Sequence, residues 1–351
     1  MPANTKEYCK KEYFYSMILV TGGTGLVGSH LLYFLLKSNT TVRAIHRKNS
    51  DLVAVKKVFS YYTKEVEETY ARIEWCEANL TDIPALTEAF KDIKHVYHAA
   101  AYISFDPKNY YKLKKSNIEG TANIVNMCLA NKVKKIVYVS SVATLGKTND
   151  NSAITEKTQW NAEGKNSVYA ITKFGAEMEV WRGTQEGLNA IILNPSIILG
   201  SGFWDEGSSK LIKNAIEGQR YITKGGNGFV DVIDVVKALI TCMNSNVSNE
   251  QYILNGANVL YKDFFEKIAT IAGSKPPSTY ISKWILLVAT TIDWFISTLF
   301  GTKRKLLKSI VSSMFTVSSY DASKIEQEFE LNFTPIEETL ERVVKRYKQE
   351  S

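Results

Sequence analysis

The 351-residue chain has few residues of the kinds that hold a metal ion or a disulfide framework. It contains four histidines and four cysteines, Cys9, Cys76, Cys128 and Cys242, which lie far apart without the spacing of metal ligands. This scarcity favours free, mostly buried thiols in a reducing compartment. We therefore expect a cytoplasmic protein and no bound metal.

The chain also lacks a strong charge of one sign. Its formal net charge is +7, and the cations are scattered apart from "KRKLLK" at 303–308. No basic stripe or base-reading motif accompanies that charge, so we expect no nucleic-acid partner. With 45% hydrophobic and 23% charged residues, the composition is that of a globular protein with one large or two modest domains.

A secretion signal is not expected at the N-terminus. Residues 1–16, "MPANTKEYCKKEYFYS", precede the first predicted strand. The apolar run after them is short and ends in glycines rather than in a cleavage site of small residues. We interpret 1–16 as an N-terminal extension.

Short apolar runs alternate with helical patterns through the first two-thirds of the chain. The predicted strands are 17–20, 41–46, 72–78, 95–100, 135–141, 189–194 and 251–256. Such alternation predicts an α/β fold with a parallel sheet covered by helices on both faces. We expect a nucleotide-binding domain at 17–195, to which 229–256 returns. The remainder, 196–228 and 257–351, is expected to form a smaller, mainly helical substrate domain.

A glycine loop follows the first strand and opens the first helix. In "TGGTGLVG" (21–28), Gly22 permits a tight turn, Gly25 admits a pyrophosphate and Gly28 allows close helix–strand packing. The helix N-terminus supplies free N–H groups to the anion. Strand, glycines and helix in this order predict a doubly wound Rossmann domain that binds a dinucleotide.

The end of the second strand indicates which dinucleotide is bound. NAD sites usually place an acid there, whereas "VRAIHRKNS" offers Arg47 and Lys48 and no acid before Asp51. An arginine can grip a 2′-phosphate with two hydrogen bonds. We therefore predict NADP(H) rather than NAD(H).

A tyrosine followed four residues later by a lysine occurs five times in this chain. Only Tyr169 and Lys173 open a predicted helix after a strand that ends in serines, Ser140 and Ser141. A lysine ammonium and a positive nicotinamide would favour the phenolate of Tyr169 and lower its pKa.

Eight segments together resemble the extended short-chain dehydrogenase/reductase family, in particular its dihydroflavonol-reductase-like and 3β-hydroxysteroid-dehydrogenase-like members. The resemblance covers roughly residues 17–270. The segments are "TGGTGLVG" (21–28), "ANLTD" (78–82), "HAAA" (98–101), "NIEGTANI" (117–124), "VSSVATLG" (139–146), "YAITK" (169–173), "LNPSIILG" (193–200) and "FVDVIDVV" (229–236).

The resemblance implies roles for particular residues. Tyr169 would exchange the proton, Lys173 would bind the ribose and Ser141 would orient the substrate oxygen. Asn117 is either a further catalytic residue or a bridge between backbone groups. The implied cofactor residues are Gly22, Thr24, Gly25, Leu26, Val27, Gly28, Arg47, Lys48, Asn79, Leu80, Ala99, Ala100, Ala101, Ser140, Tyr169, Lys173, Asn194, Pro195 and Ile197. The expected substrate contacts are Thr144, Phe203 and Trp204.

The expected activity is hydride transfer between NADP(H) and a small-molecule carbonyl or secondary alcohol, in a homodimer. The alternatives are a nucleotide-sugar epimerase or dehydratase of the same family and a non-catalytic NADP-sensing regulator. "SSVATLG" lacks the Asp–Glu pair of the dehydratases. The segment before "GGNGFVD" also lacks the arginine usual in sugar-nucleotide enzymes, with Arg220 and Lys224 its nearest cations.

One long apolar segment lies in the C-terminal part. Residues 281–300 approach the length of a membrane span, but the central Asp293 would be costly in hydrocarbon. We expect a helical lid or wall of the substrate domain, or a membrane-surface contact through 281–308. Its tryptophans, Trp284 and Trp294, are expected either to line an apolar pocket or to belong to plain core.

Overall fold

The computed structural model describes residues 17–38, 40–148, 152–302, 304 and 306–351. The predicted N-terminal extension, 1–16, lies outside the described residues. The strands are β1 (Met17–Thr21), β2 (Val42–His46), β3 (Ile73–Glu77), β4 (Ile93–His98), β5 (Lys135–Val139), β6 (Ala190–Pro195), β7 (Ile197–Leu199), β8 (Tyr221–Ile222), β9 (Gly226–Asp231), β10 (Glu250–Leu254), β11 (Ala257–Leu260) and β12 (Thr279–Tyr280).

Helices connect most of these strands. They are α1 (Leu26–Lys37), α2 (Leu52–Phe59), α3 (Val66–Ala71), α4 (Ile83–Ala89), α5 (Tyr110–Leu113), α6 (Gly120–Ala130), α7 (Val168–Gln185), α8 (Gly207–Ile216), α9 (Val232–Asn244), α10 (Tyr261–Ala272), α11 (Lys283–Phe300), α12 (Lys308–Ser313), α13 (Ser323–Phe329) and α14 (Ile336–Glu350). Two 3₁₀ turns, Pro107–Asn109 and Val142–Thr144, and a π-helix, Lys114–Glu119, complete the regular structure of the described residues.

Seven parallel strands form the main sheet in the order β10-β6-β5-β4-β1-β2-β3. The chain runs outward from β1 to β3 and then resumes on the other side of β1 with β4. A doubly wound sheet binds its ligand outside the carboxyl ends of the strands at such a reversal. The predicted α/β fold is confirmed, and it places the glycine loop after β1 at this point.

Both faces of the main sheet are buried, as the continuous apolar strands require. Alternate residues of β1 face opposite sides: Val20 packs in the core with Leu31 of α1, and Leu19 packs in the core with Val180 of α7. Helices α1 and α9 cover the first face, whereas α4, α6 and α7 cover the second. The elements that carry the candidate site are therefore held between two solid cores.

The C-terminal part contains two small sheets besides its helices. Strands β11, β9 and β7 form one and β12 pairs with β8 in the other. A third core fills this part, with Phe229 stacked on Phe264 at 4.3 Å between ring centroids. The chain leaves the main sheet after β6 and returns to it through α9 and β10.

Helix α11 presents its apolar side to solvent. Trp284 is 72% exposed and Trp294 is 50% exposed, whereas the polar Thr290 and Ser297 are buried. The expectation that these tryptophans line a pocket or lie in the core is therefore wrong. By length and composition, α11 is the one helix of the described residues that could cross a membrane.

Candidate active site

The glycine loop forms a bare helix N-terminus beside the loop that follows β4. Gly22 has a φ of +72°, and a Cβ there would lie 2.6 Å from the amide nitrogen of Ala100. A Cβ on Gly28 would collide with the carbonyl oxygen of Gly22. Helix α1 starts after Gly25 with no side-chain cap, so the first amides of its turn have no acceptor within the helix. This cradle fits the pyrophosphate of a dinucleotide.

The two cationic residues after β2 are exposed. Arg47 begins a turn in which its N–H donates to the hydroxyl of Ser50 at 3.0 Å. The first acid after the strand, Asp51, accepts the N–H of Ala54 at 3.0 Å and caps α2. Neither Arg47 nor Lys48 forms an ion pair with a carboxylate in the described part of the chain. Both remain available to an anion.

The remaining cofactor residues lie on the loops after β3 and β4. Asn79 is exposed, and the carbonyl of Leu80 accepts from Asn123 at 2.8 Å. The amides of Ala99 and Ala100 bond the carbonyl and hydroxyl of Thr21, at 3.2 and 3.3 Å. These bonds hold the loop of Ala99–Ala101 against the glycine loop.

Tyr169 and Ser141 meet above the carboxyl end of β5. Tyr169 is the second residue of α7, and Ser167 caps that helix by accepting from Ala170 at 3.1 Å. Ser141 follows β5 and accepts from Ala143 at 3.1 Å. Burial raises the pKa of Tyr169, whereas its hydrogen bond with Ser141 lowers that pKa. The phenol and the hydroxyl predicted for proton exchange and substrate orientation therefore lie next to each other.

Lys173 lies one turn further along α7 and is 1% exposed. Its ammonium donates to the phenol oxygen of Tyr138 at 2.6 Å and to the carbonyl of Val139 at 2.9 Å. Burial lowers the pKa of Lys173 to about 7, and the carboxylate of Glu177 acts in the opposite direction. The expected lowering of the pKa of Tyr169 by this ammonium is not seen, because burial of the phenol dominates.

Asn117 lies in the π-helix, a rare geometry that is frequent at functional sites. Its side-chain oxygen accepts the N–H of Tyr102 at 2.7 Å. Its amide nitrogen donates to the carbonyl of Tyr102 at 3.0 Å and to the hydroxyl of Thr172 at 3.3 Å. Asn117 thus bridges the loop after β4 to α7, which corresponds to the second of its two predicted roles.

A buried carboxylate that the sequence analysis missed organises the groups behind the site. One oxygen of Glu177, which is 3% exposed, lies 2.6 Å from the hydroxyl of Ser140, 2.8 Å from that of Thr144 and 2.9 Å from the amide nitrogen of Asn194. Its other oxygen accepts from Gln251 at 2.9 Å. Glu177 therefore ties α7 to the ends of β5 and β6 and to β10.

This network also locates two residues with other expected roles. Thr144 is 2% exposed and its hydroxyl also lies 2.8 Å from the carbonyl of Ser141, so it faces the network rather than a substrate. The amide of Asn194 donates to the same Ser141 carbonyl at 3.1 Å. Its side-chain oxygen is buried and has no hydrogen-bond partner among the residues that the structure describes. Both residues support the backbone of Ser141.

The two aromatic residues expected to contact the substrate, Phe203 and Trp204, are neighbours in one loop. Trp204 donates to Glu350 at 2.9 Å and packs edge-on against Tyr347, so it belongs to the contact with α14. Phe203, with a φ of +54°, lies in the same loop. The ring of Phe105, which the sequence analysis did not single out, lies 5.4 Å from that of Tyr169 and is 38% exposed.

The last two expected cofactor residues lie where the chain leaves the main sheet. Pro195 ends β6 and Ile197 begins β7.

The sequence profile of the family described as NAD dependent epimerase/dehydratase matches residues 18–255. The chain belongs to this family. The resemblance to extended short-chain dehydrogenases/reductases is therefore confirmed. Members act on carbonyl and alcohol groups with a nicotinamide dinucleotide, as oxidoreductases or epimerases.

Individual relatives match over most of the chain. A protein of Synechocystis sp. provisionally named dihydroflavonol 4-reductase is 27% identical over 330 residues, which cover 92% of this chain and 91% of that protein. Cinnamoyl-CoA reductase 1 of Petunia hybrida is 24% identical over 247 residues, 68% of this chain and 72% of its own length. The crystal structure of gox2253 superimposes with a TM-score of 0.80 at 26% identity, covering 96% of this chain and 99% of that one.

Proposed function

We propose that this family member is an NADP(H)-dependent oxidoreductase that interconverts a carbonyl and a secondary alcohol, in the manner of a dihydroflavonol 4-reductase. The observation that carries the proposal is the placement of the side chains of Tyr169 and Ser141 next to each other. This pair of side chains lies at the carboxyl edge of the main sheet, where Ser141 follows β5. The neighbouring strand, β4, leads into the loop that packs against the phosphate cradle.

The chain's own residues supply the proton transfer and the orientation. A bound NADP(H) would supply or accept the hydride at its nicotinamide ring. Ser141 holds the substrate oxygen next to the phenol of Tyr169, which gives that oxygen its proton in reduction and removes it in oxidation. Two N–H groups of Lys173 bond Tyr138 and Val139, so the third is left for a ribose hydroxyl.

The choice of NADP(H) rests on the end of β2. Arg47 and Lys48 are exposed there, and the first acid that follows them along the chain, Asp51, is engaged in capping α2. In NAD sites a carboxylate at this position bonds a ribose hydroxyl. This chain has cations there instead, and cations attract a 2′-phosphate.

The groups around Tyr169 favour an apolar substrate. Phe105 packs beside the phenol, and Ile103 on the same loop is 56% exposed. The two cations that precede β9 in the sequence, Arg220 and Lys224, are exposed.

A substrate panel tests this proposal against epimerisation. The full chain is incubated with NADPH and ketones or aldehydes of graded size, including flavanonol and cinnamoyl compounds, and in parallel with UDP-sugars. A reductase consumes NADPH in proportion to the alcohol that it forms. Interconversion of UDP-sugar epimers without net cofactor consumption would contradict the proposal, as would tight NADPH binding without turnover of any carbonyl.

A further inference from the structure

Helix α11 carries a continuous apolar face that the rest of the described chain leaves uncovered. Its positions recur every three or four residues and so lie on one side of the helix. The members exposed by more than half are Trp284, Ile285, Ile292, Phe295, Leu299 and Phe300, at 51–72%. Monomeric soluble proteins rarely expose so large a contiguous apolar surface without a partner for it.

The opposite, polar side of α11 is covered by the chain that follows it. Asp293 pairs with Arg304 at 3.8 Å and accepts the N–H of Leu306 at 3.2 Å. Arg304 also donates to the carbonyl of Thr290 at 3.4 Å. The one acid of the helix is thus neutralised on the side away from the apolar face. A lid over a substrate cleft would instead bury its apolar side.

The segment formed by α11, the residues that follow it and α12 begins and ends in the same small domain. Ile281, two residues before the start of α11, donates to the carbonyl of Ile222 at 3.1 Å, next to the pairing of β12 with β8. After α12, the carbonyl of Thr316 accepts from Gly226 at 3.1 Å. A membrane-spanning helix would deliver its two ends to opposite sides of the bilayer. The geometry therefore favours a helix that lies along a surface.

The charge around the apolar face is positive. Segment 281–308 contains five cations and a single acid, the paired Asp293. Lys283 at the start of α11 and Lys308 after it are both exposed. Lysines beside an apolar face with tryptophans are typical of helices that lie in the headgroup region of anionic membranes.

We propose that α11 docks the protein on the surface of a bilayer that contains anionic phospholipid. The apolar face lies at the boundary between headgroups and acyl chains, and the exposed Lys283 at the start of the helix contacts the lipid phosphates. This docking is independent of the reaction catalysed, so it stands or falls separately from the proposed function.

Co-sedimentation with vesicles tests the docking. The full chain is mixed with vesicles of phosphatidylcholine and phosphatidylserine, or of phosphatidylcholine alone. We expect the wild type to sediment with the anionic vesicles and more weakly with the neutral ones. Phe295→Glu/Leu299→Glu should stay in the supernatant, and Lys283→Glu should weaken the preference for anionic vesicles. Val53→Glu, a matched change at a 74% exposed apolar residue on α2, should sediment like the wild type.

Tryptophan fluorescence gives a second readout on folded protein. Anionic vesicles should shift the emission to the blue in the wild type, and this shift should be lost in Trp284→Phe/Trp294→Phe, which still sediments. A wild type that stays in the supernatant would overturn the proposal. A second result would also overturn it: neither protein binds vesicles, the wild type self-associates, and Phe295→Glu/Leu299→Glu is a monomer. The apolar face would then join two copies of this chain.

Discussion

The ammonium nitrogen of Lys173 lies 2.6 Å from the phenol oxygen of Tyr138, on the strand that leads to Ser141. The same nitrogen is 4.3 Å from the centroid of the Tyr138 ring. Tyr138 is 1% exposed, and burial raises its pKa well above the usual range, so it remains a neutral phenol. It therefore accepts a hydrogen bond from the buried cation and helps to keep that cation charged.

Removal of the Tyr138 hydroxyl should weaken the charged form of Lys173. We expect Tyr138→Phe to lose about 1.5–3 kcal/mol of unfolding free energy, as for other hydrogen bonds to charged groups. The pKa of Lys173 is about 7 in the wild type and should fall further. The loss of activity on the alkaline side should therefore begin at a lower pH, which a pH profile of kcat/KM measures.

Tyr252→Phe is the control for this substitution. Tyr252 is also buried, and its hydroxyl donates to Glu328 at 2.6 Å, at the edge of the main sheet. Its loss should lower stability comparably and leave the pH profile unchanged. Equal profiles in Tyr138→Phe and Tyr252→Phe would show that Tyr138 has only a structural role.

The two serines after β5 should give opposite results. Ser141 lies next to Tyr169, so Ser141→Ala should lower kcat by about 10²-fold, within the range of a lost acid–base partner, with little loss of stability. Ser140 donates to the buried Glu177 at 2.6 Å, so Ser140→Ala should instead lose about 1.5–3 kcal/mol of unfolding free energy. Urea unfolding and steady-state kinetics on both variants separate these effects. A larger kinetic defect in Ser140→Ala would reverse the assignment.

Arg47 should select between the two nicotinamide dinucleotides. Loss of a charge-assisted bond to a phosphate costs about 1.5–3 kcal/mol, so Arg47→Ala should bind NADPH roughly 10- to 100-fold more weakly. Its affinity for NADH should stay the same. Arg220→Ala, at an exposed arginine of the substrate domain, is the control. Equal affinities for NADPH and NADH in the wild type and in Arg47→Ala would contradict the assignment.

His98 should make the protein sensitive to acid. Burial lowers its pKa to about 3, from an unfolded value of 6.5. Between these pH values the unfolded chain binds a proton that the folded chain excludes. Stability should therefore fall as the pH falls, by at most about 1.4 kcal/mol per pH unit from this residue. His30 and His95, with pKa values lowered to about 3 and about 4 by burial, act in the same direction.

The variant His98→Gln isolates this contribution. A glutamine can still bond the hydroxyls of Thr21 and Thr121, which lie 2.6 and 2.9 Å from the imidazole nitrogens. Urea titrations below neutrality measure the slope of the unfolding free energy against pH. In the variant this slope should decrease by the amount that corresponds to one bound proton. An unchanged slope would mean that His98 does not titrate in this way.

The strands of the main sheet could be predicted closely from the sequence. Strands that are buried on both faces, such as β1 and β5, are continuous apolar runs bounded by polar or glycine residues. Strands β7, β9 and β11 were not predicted, because they are short or rich in glycine. Two of their pairings also join segments that are separated by about 30 residues of chain.

The catalytic residues could be predicted where spacing carries the information. Tyr169 and Lys173 share one helix face, and the serines precede them at the distance that the family resemblance implies. Glu177 continues that face by one more turn, and this spacing is the signal that could have found it. Its burial could not be predicted, because its partners Asn194 and Gln251 come from strands that meet α7 only in the folded chain.

Tyr169→Phe, studied in a single turnover with NADPH and an accepted carbonyl substrate, tests the central claim most directly. The account predicts that hydride transfer slows by about 10²–10⁴-fold, the usual contribution of a positioned acid, while the affinity for NADPH is unchanged. A variant that turns over at the wild-type rate would contradict the role of Tyr169.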